Sequence, residues 1–208
     1  MLLDKFFKEA VIHKKELIKG FHLIYVLIFA ALLISAISSY FDIFRAAIYP
    51  FGVLSGQLAV IFFCLCILPG IARRFGMRNN LMAFLMLIRR QLGVLSFAFS
   101  FLHYSTIRLF PVLFGERELV LPLPVYELLG VGALYAMVPL FLTSNDLSVK
   151  KLKRWWHRIH AMIYFIVWLL FAHVALQGIS PATVILFIFA FLEVFSLAYF
   201  AAKNYVKK

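Results

Sequence analysis

A chain of 208 residues that is 64% hydrophobic and only 14% charged is too apolar for a water-soluble domain, where about 45–50% apolar and ~25% charged side chains are usual. The mean hydropathy of +0.97 agrees. The net charge of +12 could suggest a nucleic-acid partner, but the positions of the basic residues, taken below, tie it to membrane topology and anionic lipid instead.

The first twenty residues, MLLDKFFKEAVIHKKELIKG, set Leu2, Leu3, Phe6, Phe7, Ala10 and Val11 against lysines. They read as an amphipathic cytoplasmic arm in the membrane interface, residues 1–20. They are too charged for a signal peptide, and no small-residue cleavage site follows, so the next apolar run is expected to stay as a helix. Six apolar stretches then appear, at roughly 21–37, 53–72, 92–110, 124–142, 159–177 and 182–202, each near the ~20 residues that cross ~30 Å of hydrocarbon. None alternates with the period of two of a membrane barrel. The expected fold is an all-α integral membrane protein: a six-transmembrane-helix bundle over 21–202 with a basic tail at 203–208.

Lys and Arg orient it. Lys5, Lys8, Lys14, Lys15 and Lys19 precede helix 1. Arg73, Arg74, Arg78, Arg89 and Arg90 are expected in the loop after helix 2, and Lys150, Lys151, Lys153, Arg154 and Arg158 in the loop after helix 4. With Lys203, Lys207 and Lys208, eighteen of the 21 basic residues fall on one side of an alternating six-helix chain. Only Arg45, Arg108 and Arg117 fall on the other. Both termini should be cytoplasmic.

Cys64 and Cys66 lie two apart in helix 2 and point to different faces, so they signal neither metal nor disulfide. There is no internal repeat, no low-complexity tract, no Gly-rich phosphate loop and no dinucleotide fingerprint. NAD(P)H has no domain of its own here.

The six histidines carry the chemistry. His13 belongs to the arm. His103, late in helix 3, and His173, late in helix 5, reach similar depth in the outer half. His160 starts helix 5 and His22 starts helix 1, both near the inner surface, with His157 at the boundary. Two imidazoles facing each other across a bundle can fill both axial positions of a heme iron, and polar groups inside lipid are costly and usually functional. The bland alternative is that each histidine bonds a nearby carbonyl or side chain. His160 and His173 are thirteen residues apart, ~20 Å of rise but roughly 140° of rotation on an ideal helix. They share a face only if the helix is kinked or overwound.

At these residues the sequence resembles the ferric-reductase-like transmembrane family. RRQLGVLSFAFSFLHY (89–104) is similar to the family's Arg-Arg-x-Leu-Gly run and its Leu-His. LTSNDLSVKKLKRWWHRIHAMIYFIVWLLFAH (142–173) is similar to its Thr-Ser, Trp-x-x-Leu-His and distal His pattern. ILPGIARRFG (67–76) is similar to the end of its second helix. Residues ~50–178 carry the likeness well, and GFHLIY carries it loosely. The form most similar is the heme-binding membrane subunit that serves periplasmic methionine sulfoxide reductase. The resemblance implies a bacterial inner-membrane protein that binds b-type heme, one or two, through His103, His160 and His173. It implies electrons from the quinone pool or a cytoplasmic flavin reductase, with FMN or quinone as further cofactors. It implies a periplasmic oxidoreductase, a molybdenum-dependent methionine sulfoxide reductase, as acceptor.

Two departures bear on the inner site. Full ferric reductases carry a second histidine about thirteen residues before the helix-3 ligand, and Arg90 stands there, with Arg89 beside it. His22 is then the candidate partner for His160. The family's Leu-Gly before the Trp is Leu152-Lys153. Arg108, one turn beyond His103, is a candidate propionate contact or a snorkelling helix end. Arg89 and Arg90 are candidates for an inner propionate, a quinone headgroup or a flavin phosphate, or serve topology alone. Glu193, deep in helix 6, is a candidate proton relay or a carboxyl bonded within the bundle. Two alternatives are a stand-alone ferric or cupric metalloreductase and a non-redox protein. The latter would be a small transporter or a metal-binding subunit using His157 and His160, a spacing that is weak for zinc without further ligands.

Overall fold

The computed structural model describes residues 9, 12–115, 118 and 121–205. Every regular element among them is helical: α1 (Lys14–Tyr40), α2 (Arg45–Arg74), α3 (Asn80–Tyr104), a π-helical segment Ser105–Leu109 leading into α4 (Phe110–Leu113), α5 (Val125–Leu142), α6 (Asp146–Leu152), α7 (Arg154–His160), α8 (Ile163–Ala175) and α9 (Pro181–Tyr205). Among the described residues six stretches are long and apolar enough to cross a membrane: Lys15–Tyr40, Ala46–Arg74, Asn80–Leu113, Val125–Leu142, Arg154–Ala175 and Pro181–Tyr205. The protein is a multi-pass membrane protein, as expected.

Five helices close a ring. α2 packs on α3, α3 on α5, α5 on α8, α8 on α9, and α9 returns to α2. α1 stands outside the ring against α2, α3 and α4, and most of its surface is uncovered. Small residues let α2 and α3 approach: Ser96 Oγ donates to the Ala59 carbonyl at 3.0 Å, and Gly93 lies against Cys66. Lipid offers no hydrophobic drive between helices, so such close backbone packing and interhelical bonds hold the bundle. The core lies toward the basic end, where Phe63, Ile67 and Ile71 of α2 meet Leu85, Ile88 and Leu92 of α3, Met137 of α5 and Ile163, Ile166 and Val167 of α8. Alternation of the spans places Gly52, His103, Tyr126 and His173 at the opposite end.

The helices outrun the apolar stretches, and this corrects one expectation. Arg73 and Arg74 end α2, while Arg89 and Arg90 lie inside α3 rather than in a loop. α3 starts at Asn80, whose turn is capped by Asn79 Oδ1 accepting from the Met82 amide at 2.8 Å. Hydropathy stops at a charge, but a helix does not when the charged head has a polar partner. Arg89 Nε donates to the Cys66 carbonyl at 3.0 Å, one turn before Pro69, which has no amide to complete the helix ladder.

The fifth span is also broken. Met162, Tyr164 and Phe165 donate three residues back, to Ile159, Ala161 and Met162. These tight turns overwind the chain between α7 and α8.

Residues 1–8, 10 and 11, which hold most of the expected arm, lie outside the described residues, as do Arg117 and residues 206–208. Lys15–Lys19 are the first turns of α1.

Candidate functional site

At the end away from the basic residues, α3 and α8 each deliver one histidine against a glycine. His103 Nδ1 is bonded to the Gly52 carbonyl at 2.8 Å, and a Cβ on Gly56 would stand 2.9 Å from that nitrogen. His173 Nδ1 is bonded to the Tyr126 carbonyl at 2.6 Å, and a Cβ on Gly130 would stand 2.6 Å from it. A carbonyl only accepts, so both rings carry their proton on Nδ1 and turn the Nε2 lone pair away from the backbone. His173 Nε2 accepts from the Gln177 side-chain amide at 3.1 Å, consistent with that tautomer. The two rings stand at the same end of the bundle, one on α3 and one on α8.

This is how a metal-bound imidazole is ordinarily held, its second nitrogen anchored to a backbone oxygen. The histidine pair would therefore suit a heme iron, and Gly56 and Gly130 provide the room the rings need. Nearby, the π turn leaves Ser105 Oγ, Thr106 Oγ1 and Arg108 Nη2 buried without a hydrogen-bond partner. π turns are common at functional sites. Arg108 Nε pairs with Glu127 at 3.4 Å.

At the basic end, a cavity of about 450 Å³ opens between α2, α3, α5, α7 and α8. Its polar lining includes Arg73, Arg89, Arg90, His157, His160 and Tyr164, and Phe63, Phe97, Met137 and Trp156 supply apolar walls. His160 stacks on Trp156 at 4.0 Å, and its Nε2 meets Thr143 Oγ1 at 3.0 Å. That hydroxyl gives its only proton to the Pro139 carbonyl at 2.6 Å. It must accept from His160, which leaves Nδ1 as the free nitrogen. His160 is thus held in the opposite tautomer to His103 and His173. Arg90 Nη2 reaches Asp146 at 2.6 Å.

The profile of the "Ferric reductase like transmembrane component" family matches residues 55–171, which include α3, α5 and most of the broken span, with His160. This chain belongs to that family. Among characterised proteins, it is similar to the protein-methionine-sulfoxide reductase heme-binding subunit MsrQ of Rhizobium meliloti (strain 1021), 33% identical over 85 residues, 38% of this chain and 37% of that protein. It is similar to the MsrQ of Brucella anthropi at 34% over 85 residues, 40% of this chain and 38% of that protein. For the Brucella ovis MsrQ the figures are 30% over 81 residues, 38% and 37%. The chain thus spans under two-fifths of the length of these curated relatives. No solved structure matches.

The ferric-reductase-like core brings the expected residues together unequally. His103, His173 and Arg108 gather at one end, and His160, Arg89 and Arg90 at the other. His22 does not join His160: it is exposed on α1, with its Nδ1 on the Ile18 carbonyl at 2.8 Å, and is not among the residues lining the cavity. Glu193 is buried and forms a salt bridge with Arg74, which also donates to Ser196 Oγ at 2.8 Å. Arg74 lies over the Tyr164 ring at 5.6 Å, so this pair backs the cavity wall. Among the described residues no three His, Cys, Asp or Glu side chains gather as a metal site.

Sequence reasoning missed Gly52, Gly56, Gly130 and Tyr126, and gave Thr143 and Trp156 no role beyond their place in the family pattern. A signal existed for two of them. FGVLSG (51–56) contains a Gly-x-x-x-Gly in an apolar run, the spacing of close helix approach. The carbonyl of Tyr126 and the hydroxyl of Thr143 act through position alone, which one sequence does not display.

Proposed function

We propose that this protein is a b-type heme electron-transfer subunit of the bacterial inner membrane, with its basic end and both termini in the cytoplasm. His103 and His173 would hold the heme iron in the outer half, and Arg108 Nη2 would take a propionate. The observation that carries this reading is the shared arrangement of the two rings, each with Nδ1 on a backbone carbonyl against a glycine and Nε2 unprotonated, a lone pair that in His173 a ligand would take over from the Gln177 amide. Heme bound there supplies one-electron transfer.

Electrons would enter at the cavity beside His160. A planar donor fits between Trp156 and the apolar walls, with Arg73, Arg89 and Arg90 for its anionic or carbonyl oxygens. A quinol or a reduced flavin such as FMN meets that description, supplied by the quinone pool or a cytoplasmic flavin reductase. The likeness to MsrQ subunits supports a periplasmic methionine sulfoxide reductase, molybdenum-dependent by family, as the acceptor. In this reading His160 is a proton acceptor rather than an iron ligand: three arginines share its cavity, and the other imidazole there, His157, lies on the same short helix α7 rather than across the cavity. A second reading places another heme on His160 and is favoured by the free Nδ1.

The test is the visible spectrum of the purified protein, oxidised and dithionite-reduced, with heme counted per chain. One low-spin b-type heme, lost in His103→Ala and in His173→Ala, is expected. Two hemes per chain, with one lost in His160→Ala, would establish the second reading. A colourless protein after expression with ample heme would overturn both.

A further inference from the structure

The start of α5 touches both halves of the outer site. Tyr126 presents its carbonyl to His173 Nδ1. The next residue, Glu127, pairs through Oε2 with Arg108 Nε at 3.4 Å, and its Oε1 is 3.4 Å from the Tyr126 hydroxyl. An acidic residue in the first turn of a helix is ordinarily explained by the helix dipole and faces solvent. Glu127 does not. Its side chain is 19% exposed and that of Arg108 is 14% exposed, and the two come from different spans. Arg108 follows His103 by five residues, carried by the π segment, and its Nη2 is buried without a partner. One dipeptide therefore fixes an imidazole through its backbone and a guanidinium through its side chain.

We propose that Glu127 is a positioning residue of the outer heme site that also sets its potential. Its carboxylate holds Arg108 by Nε and leaves Nη2 for an anionic group of the cofactor. Glu127 and Arg108 form a charge-balanced pair in a region of low dielectric, where a lone charge acts strongly on a nearby redox centre. Removing either charge shifts the local balance toward the sign of the other. The reduced heme carries one less positive charge than the oxidised, so a lone Arg108 favours reduction and a lone Glu127 opposes it.

This rests on the outer-heme reading above, and one experiment separates the two. The full chain is purified in detergent and the heme midpoint potential is measured by spectroelectrochemical titration for the unmodified protein, Glu127→Gln, Arg108→Gln and the double variant. Glu127→Gln is expected to raise the potential and Arg108→Gln to lower it. Each shift should approach a tenfold change in the ferrous-to-ferric ratio at fixed potential, about 59 mV for one electron. The double variant should return toward the unmodified value, the cancellation that identifies a coupled pair. A merely structural role would not give shifts of opposite sign. Unshifted potentials or shifts of one sign overturn the proposal. So does a heme-free Glu127→Gln whose double variant is also heme-free. Absence of heme from the unmodified protein overturns the outer-heme reading instead.

Discussion

A methyl group on Gly130 would stand 2.6 Å from Nδ1 of His173, closer than van der Waals contact permits. The ring is tied to Tyr126 one turn earlier on the same helix, so it has little room to retreat. Gly130→Ala should therefore break the Tyr126 bond or push α5 from α8, and the heme content of the purified protein should fall sharply. Gly56→Ala, at 2.9 Å from His103 Nδ1, should act likewise but less severely. Overpacking of this kind costs about 1–3 kcal/mol, which leaves the bundle folded. Gly132→Ala, with nothing within 4 Å, is the control and should keep its heme. Heme retained at full level in Gly130→Ala would show that the His173 ring has no fixed place.

The spans were legible because lipid imposes one rule, that an apolar run of about twenty residues must close its own backbone bonds as a helix. His103 and His173 were legible for the related reason that imidazoles in lipid need a purpose. What stayed hidden was polar structure at the helix ends. Arg89 and Arg90 looked like a loop because a hydropathy average does not see that Arg89 has the Cys66 carbonyl and Arg90 has Asp146 to bond. The overwound turn at Ala161 was anticipated only as a condition, since nothing in HAMIYF marks it. Glu193 was read as deep and costly, and it is deep. Its salt bridge to Arg74, 119 residues away, depends on α9 returning to α2, a contact no local pattern carries.

Orientation is open to a direct check. Lys151 is exposed in α6 at the basic end, and Ile179, 93% exposed, lies in the turn between α8 and α9 at the other. Both native cysteines are buried and should not label in the folded protein. With positive charge inside, a membrane-impermeant maleimide applied to spheroplasts should modify Ile179→Cys and spare Lys151→Cys until the membrane is opened. The reverse pattern would invert the proposed direction of electron flow.

The Arg74–Glu193 pair should behave as an anchor. Both side chains are nearly buried, at 10% and 3% exposure. Breaking a buried pair from one side costs about 3–5 kcal/mol, because the remaining charge has no counterpart, whereas replacing both with apolar residues is often neutral. Arg74→Ala should therefore lower the thermal unfolding midpoint in detergent strongly, and Arg74→Met combined with Glu193→Leu should recover most of it. A proton relay at Glu193 predicts something further: Glu193→Gln would, beyond its effect on stability, slow the rate at which a quinol analogue reduces the heme.

His160 offers the sharpest separation of the two inner-site readings. Thr143 holds its Nε2, so its Nδ1 is the nitrogen free to meet a donor, and Trp156 covers one face of the ring. If His160 takes the proton of a quinol, His160→Ala should leave one heme per chain with an unchanged reduced spectrum. Reduction by the quinol analogue should then slow by about 10²-fold or more, the usual contribution of a positioned general base. Thr143→Val should give a smaller loss in the same direction, because it removes only the group that fixes the tautomer. Dithionite should reduce the heme fully in every variant, since it does not use the cavity. A halved heme content in His160→Ala would instead make His160 an iron ligand. The arginines around it would then face the edge of a second heme rather than an incoming donor.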